Sequence, residues 1–305
     1  MRILISGASG LVGQSLIPIL QQNGNQIVVL TTQKNSTAFP KKVSVHYWNP
    51  EQGIFDPDIL NDVDAIISLA GAKIAQRWTT AAKKSILESR ILGTRLLVEA
   101  LKSNKNHNVN HLISASAIGI YPSSKTAMYN ENEISLSTNF LGEVVQAWEA
   151  EVDQAFGFVK NISKIRIGLV LAKNGGALLP LAIPTSFGLG AWFGRGDQWQ
   201  SWIHIQDLVR LFVFALKKPG CYNGTAPHPV TQKDLVKAIA KTYHMPQWLP
   251  GIPTFFMKIV IGEMASVLVD SIRVSCEAAQ KQGFTFRFPT ITTALHDLLP
   301  LRNKK

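Results

Sequence analysis

Short continuous apolar runs alternate with stretches of helical spacing through the first 170 or so residues. Arg2–Ser6 carries Ile3, Leu4 and Ile5 in succession, and Gln26–Thr31 carries Ile27 to Leu30; comparable runs follow at 43–48, 65–70, 111–116 and 162–171. Between them, Leu11–Gln22 spaces Leu11, Val12, Leu16, Ile19 and Leu20 on a helical period, and 79–103 does so with Ile86, Leu87, Ile91, Leu97, Val98 and Leu101. A further helix is expected over 140–156. Pro18 predicts a kink or a late start in the first helix. Strands that are apolar on both faces need cover on both faces, which predicts a parallel sheet wrapped by helices. With right-handed crossovers this is a Rossmann-like, doubly wound α/β fold.

The rhythm changes after residue 171. Residues 173–201 are rich in Gly, Pro and Trp and are expected to be irregular, lying over a ligand cleft. A strand at 201–205 and a helix at 207–216 rejoin the first unit. Helices over 231–243, 253–270 and 290–299 then form a smaller C-terminal lobe. The expected division is a nucleotide-binding domain of 1–171 rejoined by 202–228, and a substrate lobe of 172–201 with 229–305.

Composition narrows the class. The chain has 305 residues, 46% hydrophobic and 17% charged, which excludes low-complexity disorder. Cys221 and Cys276 are too few for a disulfide framework and point to a reducing, cytoplasmic setting. No apolar stretch reaches the roughly 18 residues a membrane span needs; the nearest, 252–269, is interrupted by Pro253, Lys258 and Glu263. No membrane partner is therefore expected, and 255–269 is assigned to the cleft cover or a homodimer seam. Glycines from Gly7 onward interrupt the segment where a signal peptide would keep its apolar core. The net charge of +11 is scattered, with no Lys/Arg run longer than two, so no nucleic-acid partner is expected.

Gly7, Gly10 and Gly13 stand between the first strand and first helix, where glycines carry a phosphate-binding meaning. Gly7 permits the tight turn, Gly10 lets a pyrophosphate approach the backbone, and Gly13 lets the helix pack on the strand. An NAD-binding unit of this type places Asp or Glu at the end of the second strand to hold the ribose hydroxyls. Here that place reads Thr31-Thr32-Gln33-Lys34, hydroxyls and a positive charge. That favours NADP(H).

With these residues in place, the chain resembles the extended short-chain dehydrogenase/reductases, and within them an atypical, epimerase-like family. The stretches SGASGLVG at 6–13, SLAGAKIAQRW at 68–78, ESRILGTRLLVEAL at 88–101, SASAIGIY at 114–121, RIGLVLAKNGGAL at 166–178, WIHIQDLVRL at 202–211 and GFTFRFP at 283–289 carry the likeness. The resemblance implies that Gly7, Ser9, Gly10, Leu11, Val12 and Gly13 line the pyrophosphate turn, and that Thr31, Thr32 and Lys34 meet the ribose phosphate. It places Leu69, Ala70, Gly71, Ser114, Arg90 and Arg166 around the rest of the cofactor. The family commonly has Arg where Thr32 stands, which leaves more of the phosphate contact to Lys34; it often has Glu where Ala72 stands, so any role of that carboxylate is absent here.

Members of that superfamily are similar in a Ser…Tyr-x-x-x-Lys set, in which Tyr moves the proton and Lys lowers its pKa. Ser116 occupies the serine place, but Phe140 stands where Tyr belongs and Val144 where Lys belongs. Two readings stay open. One is an NADP(H)-dependent oxidoreductase or epimerase-like enzyme with an unknown small-molecule substrate, Ser116 orienting its oxygen and Tyr121, Tyr129, Lys125 or His204 replacing the acid. Tyr121 is the preferred replacement. The other is a catalytically silent, NADPH-responsive regulatory protein. Trp192, Phe193, Trp199 and Trp202 are expected to form a seam between lobes or to stack on a flat substrate. Asp207 is expected to cap the following helix, and the seven histidines show no metal-ligand spacing.

Overall fold

Ile3, Leu4 and Ile5 lose all contact with solvent because the strand they form, β1 (Arg2–Ser6), has a parallel neighbour on each edge. A computed structural model of the chain describes residues 1–34, 39–40 and 42–300. In it, β2 (Gln26–Thr31) and β3 (Val43–Tyr47) extend the sheet to one side of β1. On the other side lie β4 (Ala65–Ser68), β5 (His111–Ala117) and β6 (Asn161–Ile167), all parallel. Chain direction across the sheet therefore reverses between β1 and β4. In open α/β sheets, ligands bind outside the carboxyl ends of the strands at such a point.

The expected strand at 162–171 is in fact two. After β6 the chain leaves the large sheet at Gly168, where a Cβ would lie 2.2 Å from the Ser201 carbonyl oxygen. It continues as β7 (Leu169–Ala172), which joins β8 (Gly175–Gly176) in a small sheet. After β9 (Trp199–Gln200), the strand β10 (Trp202–His204) pairs with β7, and β11 (Cys221–Gly224) becomes the seventh strand of the large sheet beside β6. The short β12 (Val230–Thr231) pairs with β9.

The helices follow the apolar spacing closely. They are α1 (Leu11–Gln22), which runs past Pro18, then α2 (Thr80–Ser103) and α3 (Phe140–Asp153). Helix α4 (Leu178–Ser186) occupies part of the segment expected to be irregular; Pro180 lies in its first turn, where no N–H bond is forfeited. Next come α5 (Ile205–Ala215) and α6 (Gln232–Thr242). The expected 253–270 helix is divided into α7 (Thr254–Ile261) and α8 (Ala265–Val269) by Gly262, whose φ of +64° ends the first piece. Phe255, Phe256 and Ile259 of α7 stay exposed. The chain closes with α9 (Glu277–Lys281) and α10 (Ile291–Leu298). Helix α1 packs beside α5, and α2 beside α3. No helix among the described residues is long and apolar enough to cross a membrane.

Side chains of the WIHIQD stretch tie the C-terminal residues to the first unit. His204, not Asp207, caps α5: its Nδ1 accepts from the Gln206 N–H at 3.1 Å. Its Nε2 lies 3.1 Å from Asp297, and its ring stacks on Phe288. Asp207 is fully buried and accepts the backbone N–H groups of Arg287 (2.9 Å) and Phe288 (2.8 Å), with Arg210 at 2.7 Å. Replacing Asp207 with Ala leaves two backbone donors without an acceptor, at about 1–3 kcal/mol each. Urea unfolding should show Asp207→Ala less stable by roughly 2–4 kcal/mol, with Asp207→Asn losing less because one acceptor oxygen remains.

Candidate functional site

The glycine turn divides its labour between internal packing and open space. Gly7 has φ +71°, and a Cβ on it would lie 2.6 Å from the backbone of Leu69 and Ala70, which locks the turn against the end of β4. A Cβ on Gly13 would lie 2.5 Å from the Ala8 Cα, so α1 sits directly on the turn. Gly10 differs. A Cβ there would meet only the Gly7 carbonyl, at 3.3 Å, so its bareness opens a surface instead of fitting a protein contact. Helix α1 starts at Gly10 with no side-chain cap and no acid in its first turn. Its free N–H groups and dipole present positive potential to exposed Ser9 and Gly10. An anionic group of phosphate size fits this cradle.

At the end of β2, Thr31 is half-buried and Thr32 and Lys34 are exposed. The Lys34 Nζ lies 5.3 Å above the Tyr47 ring. Leu11 and Val12 are half-buried and pack on the main core. The Ser114 hydroxyl bonds the Ala115 carbonyl at 2.8 Å and faces the interior.

Beyond the turn, the ends of β4, β5 and β6 meet α3, β9 and the residue after α8 around a cavity of about 360 Å³. Its wall is mostly apolar and includes Leu69, Val144 and Trp148. Two of the lining residues are ionisable, Arg90 and Asp270. Arg90 reaches in from α2 and is only 9% exposed. Its guanidinium fills the space beside Gly71, where a Cβ would lie 3.0 Å from Cζ, and stands 5.3 Å from the Trp148 ring centre. One nitrogen donates to the carbonyls of Ile86 (2.9 Å) and Ala72 (3.3 Å). Among the described residues no carboxylate pairs with it, and burial pushes its pKa down to about 10. It is still a cation at neutral pH, held without a counter-ion.

Ser116 also lines the cavity, from the end of β5. Its hydroxyl donates to the Glu149 carboxylate. Glu149, on α3, is buried and receives two parallel bonds from Arg166 of β6, both 2.9 Å. The other terminal nitrogen of Arg166 donates to the Tyr121 hydroxyl (2.8 Å) and the Glu131 carbonyl (3.1 Å), and Tyr121 donates on to Asn223 Oδ1 (2.9 Å). Burial alone would raise the Glu149 carboxyl, but the Arg166 bonds and charge, with Ser116 and Lys164, outweigh it and hold the carboxyl below its usual range. Burial pushes the Tyr121 hydroxyl up to about 12 against the opposing pull of Arg166.

This network corrects two expectations. Arg166, expected at the cofactor, has its donors engaged by Glu149, Tyr121 and Glu131. Tyr121, expected to replace the missing acid, has no exposed surface, lies outside the cavity wall and has its hydroxyl bonded on both sides. The other acid candidates are also elsewhere. Tyr129 stacks under Tyr121, Lys125 pairs with Asp197, and His204 is buried at the α5 cap. Phe140 packs edge-on against Trp78, and Val144 faces the cavity. Of the tryptophan cluster, Trp199 reaches the cavity, under Arg273 at 4.3 Å, while Trp202 is core. Glu149 and Asp270 were not singled out from the sequence. Glu149 lies on the buried face of an amphipathic helix, a legible signal for an internal partner; Asp270 ends an apolar stretch and carries none.

A glycine turn at the reversal point of a parallel sheet, opening onto a cavity along the same strand ends, defines a Rossmann-type NAD(P)-binding fold. Residues 3–142 match the NAD dependent epimerase/dehydratase family, and residues 252–298 match a domain of unknown function. An epimerase family protein of Staphylococcus saprophyticus is 35% identical over 301 residues, covering 97% of this chain and 98% of its own. The chain belongs to this epimerase family. Among solved structures, human epimerase family protein SDR39U1 (isoform 2), determined with NADPH, superposes with a TM-score of 0.85 at 25% identity over 98% of this chain and 99% of its own. A nucleoside-diphosphate sugar epimerase from Corynebacterium glutamicum superposes at 0.78 and 29% identity, over 98% of this chain and 58% of its own.

Removing one partner of a buried ion pair costs about 3–5 kcal/mol. Glu149→Ala should lower stability by about that amount and Arg166→Met similarly, while Glu149→Leu with Arg166→Met should regain much of the loss in chemical unfolding. Because the folded Glu149 carboxyl lies below its ordinary value of 4.5, its contribution is complete above that pH and fades as pH falls through the lower folded value. The wild type should therefore lose stability more steeply than the double variant on acidification below about 4.5.

Proposed function

We propose that the protein is an NADP(H)-dependent oxidoreductase or epimerase-like enzyme that acts on a small molecule held in the cavity. The observation that carries this reading is the Arg90 guanidinium, buried beside Gly71 without a counter-ion, between the glycine turn and the cavity. A buried charge held this way is offset when an anion reaches it. Leu11 and Val12 at the start of α1 supply N–H donors for a pyrophosphate, Gly7, Ser9 and Gly10 form the turn that receives it, Gly13 brings the helix end close, and Leu69 to Gly71 form the adjoining wall. Thr31, Thr32 and Lys34, with no carboxylate paired to them among the described residues, favour an adenosine 2′-phosphate. The presence of NADPH in the SDR39U1 structure supports the same choice. Such a cofactor supplies hydride exchange at a carbon bearing oxygen.

The substrate lobe is assigned to residues 172–201 and 229–305, which contribute Trp199 and Asp270 to the wall. Ser116 acts there as an acceptor. Its proton is committed to an ionised carboxylate, so it turns lone pairs toward the cavity and recognises a ligand hydroxyl or amide N–H. A carbonyl oxygen would require Ser116 to release Glu149. Phe140 and Val144 favour the second reading, an NADPH-responsive binding protein without turnover. Release of NADP⁺ from NADPH in the presence of carbonyl compounds or nucleotide sugars distinguishes the two.

Calorimetry with the intact chain should show NADPH binding at least ~10-fold more tightly than NADH, since charge-assisted hydrogen bonds contribute about 1.5–3 kcal/mol. Arg90→Ala should weaken both by roughly 10- to 100-fold, while Lys34→Ala should narrow the preference for NADPH. A preference for NADH would overturn the choice of cofactor.

A further inference from the structure

Hydride exchange at a carbon bearing oxygen also requires a proton to leave or reach that oxygen. Of the two ionisable side chains in the cavity wall, Arg90 holds its proton up to about pH 10 and is a fixed charge near neutrality. Asp270 is the remaining one. Asn139 Nδ2 donates to its Oδ2 at 3.4 Å, and the Asn139 Oδ1 accepts the Gly142 N–H at 2.8 Å to cap α3. Asn139 thus immediately precedes Phe140, the position at which the superfamily's tyrosine is missing. The carboxyl tethered to it enters the cavity from the C-terminal lobe beside the vacated place.

Resting on the function proposed above, we infer that Asp270 faces the nicotinamide end of this cavity and is the group that exchanges the proton with substrate. In the reducing direction the carbonyl carbon gains a hydride from the cofactor and the C=O π pair moves to oxygen. The Asp270 carboxyl proton then goes to that oxygen, leaving a carboxylate that solvent reprotonates. In the oxidising direction the carboxylate takes the hydroxyl proton as the hydride departs.

The surroundings suit that task. Burial raises the Asp270 carboxyl above its ordinary value of 3.8, opposed by a hydrogen bond with Ser123. Its hydrogen-bonding neighbours are neutral. Arg90 shares the cavity from α2, Lys83 pairs with Glu263 and Lys125 with Asp197, and Arg273 lies over the Trp199 ring with its buried Nε unbonded among the described residues.

Oxidised and reduced cofactor provide a test that needs no substrate. The NADP⁺ ring is cationic and the NADPH ring is neutral, whereas their phosphates titrate alike and cancel in a ratio. Ionised Asp270 near the ring favours NADP⁺ by Coulomb attraction. Titration calorimetry with NADP⁺ and NADPH from pH 4.5 to 8 should show the ratio Kd(NADPH)/Kd(NADP⁺) rising about threefold or more with pH. Asp270→Asn should flatten that rise, and Asp270→Glu should restore it. A ratio independent of pH in the wild type, or a rise that survives in Asp270→Asn, overturns the assignment. Absence of heat with both nucleotides overturns this inference and the cofactor reading together; binding of both with a flat ratio overturns Asp270 alone.

Discussion

Two opposite charges are buried where α3 crosses the ends of β5 and β6, and the cavity wall takes its shape from them. Glu149 and Arg166 meet through two parallel hydrogen bonds in a region closed to water. Such a pair gains little over well-packed apolar side chains, but either member alone is costly to bury. What the pair supplies is position. The carboxylate fixes the direction of the Ser116 hydroxyl, and the spare guanidinium nitrogen draws Tyr121 and Glu131 to β6, with Asn223 of β11 behind them. Four elements are registered by one ion pair, and Ser116 is the member that touches the cavity.

The same pair accounts for the closed surroundings of Tyr121. A tyrosine serves in proton transfer when a nearby cation lowers its pKa and its hydroxyl remains free to meet substrate. Here a cation is in contact, yet burial outweighs it, and the hydroxyl is bonded on both sides. Proximity in sequence to Ser116 placed Tyr121 near the right strand end but on its wrong side.

Legibility in the sequence followed the range of the interactions involved. The strands β1, β2, β4 and β5 and the helices α1, α2 and α3 announce themselves because apolar period is a local signal. Gly7, Gly10 and Gly13 could be read because the strand–turn–helix context lies within a dozen residues. Strand β11, four residues reading Cys-Tyr-Asn-Gly, has no such pattern; it exists because β6 offers an edge. The break at Gly168 depends on Ser201, and the burial of Asp207 on backbone donors some 80 residues away. Arg166 lies on the expected strand, but nothing near it in the chain reveals that Glu149 comes to meet it. Arg90 is the converse case, since no carboxylate reaches it among the described residues.

The two ionisable residues of the cavity then have separate tasks. Arg90 and Asp270 share one mostly apolar space, in which a charge is felt more strongly than in water. Burial raises the Asp270 carboxyl above its ordinary value, against the hydrogen bond with Ser123. Seated against Arg90 as proposed, a phosphate would add negative charge to that space, which favours the protonated form. On the proposed reading, cofactor binding thus moves Asp270 toward holding a proton near neutrality, the state a reductase needs when its carbonyl substrate arrives. Asp270 would return toward ionisation beside an oxidised, positively charged ring, the state that follows proton donation. A cavity with one fixed cation and one titratable acid can therefore couple the two halves of the reaction through charge alone, without the tyrosine and lysine that Phe140 and Val144 replace.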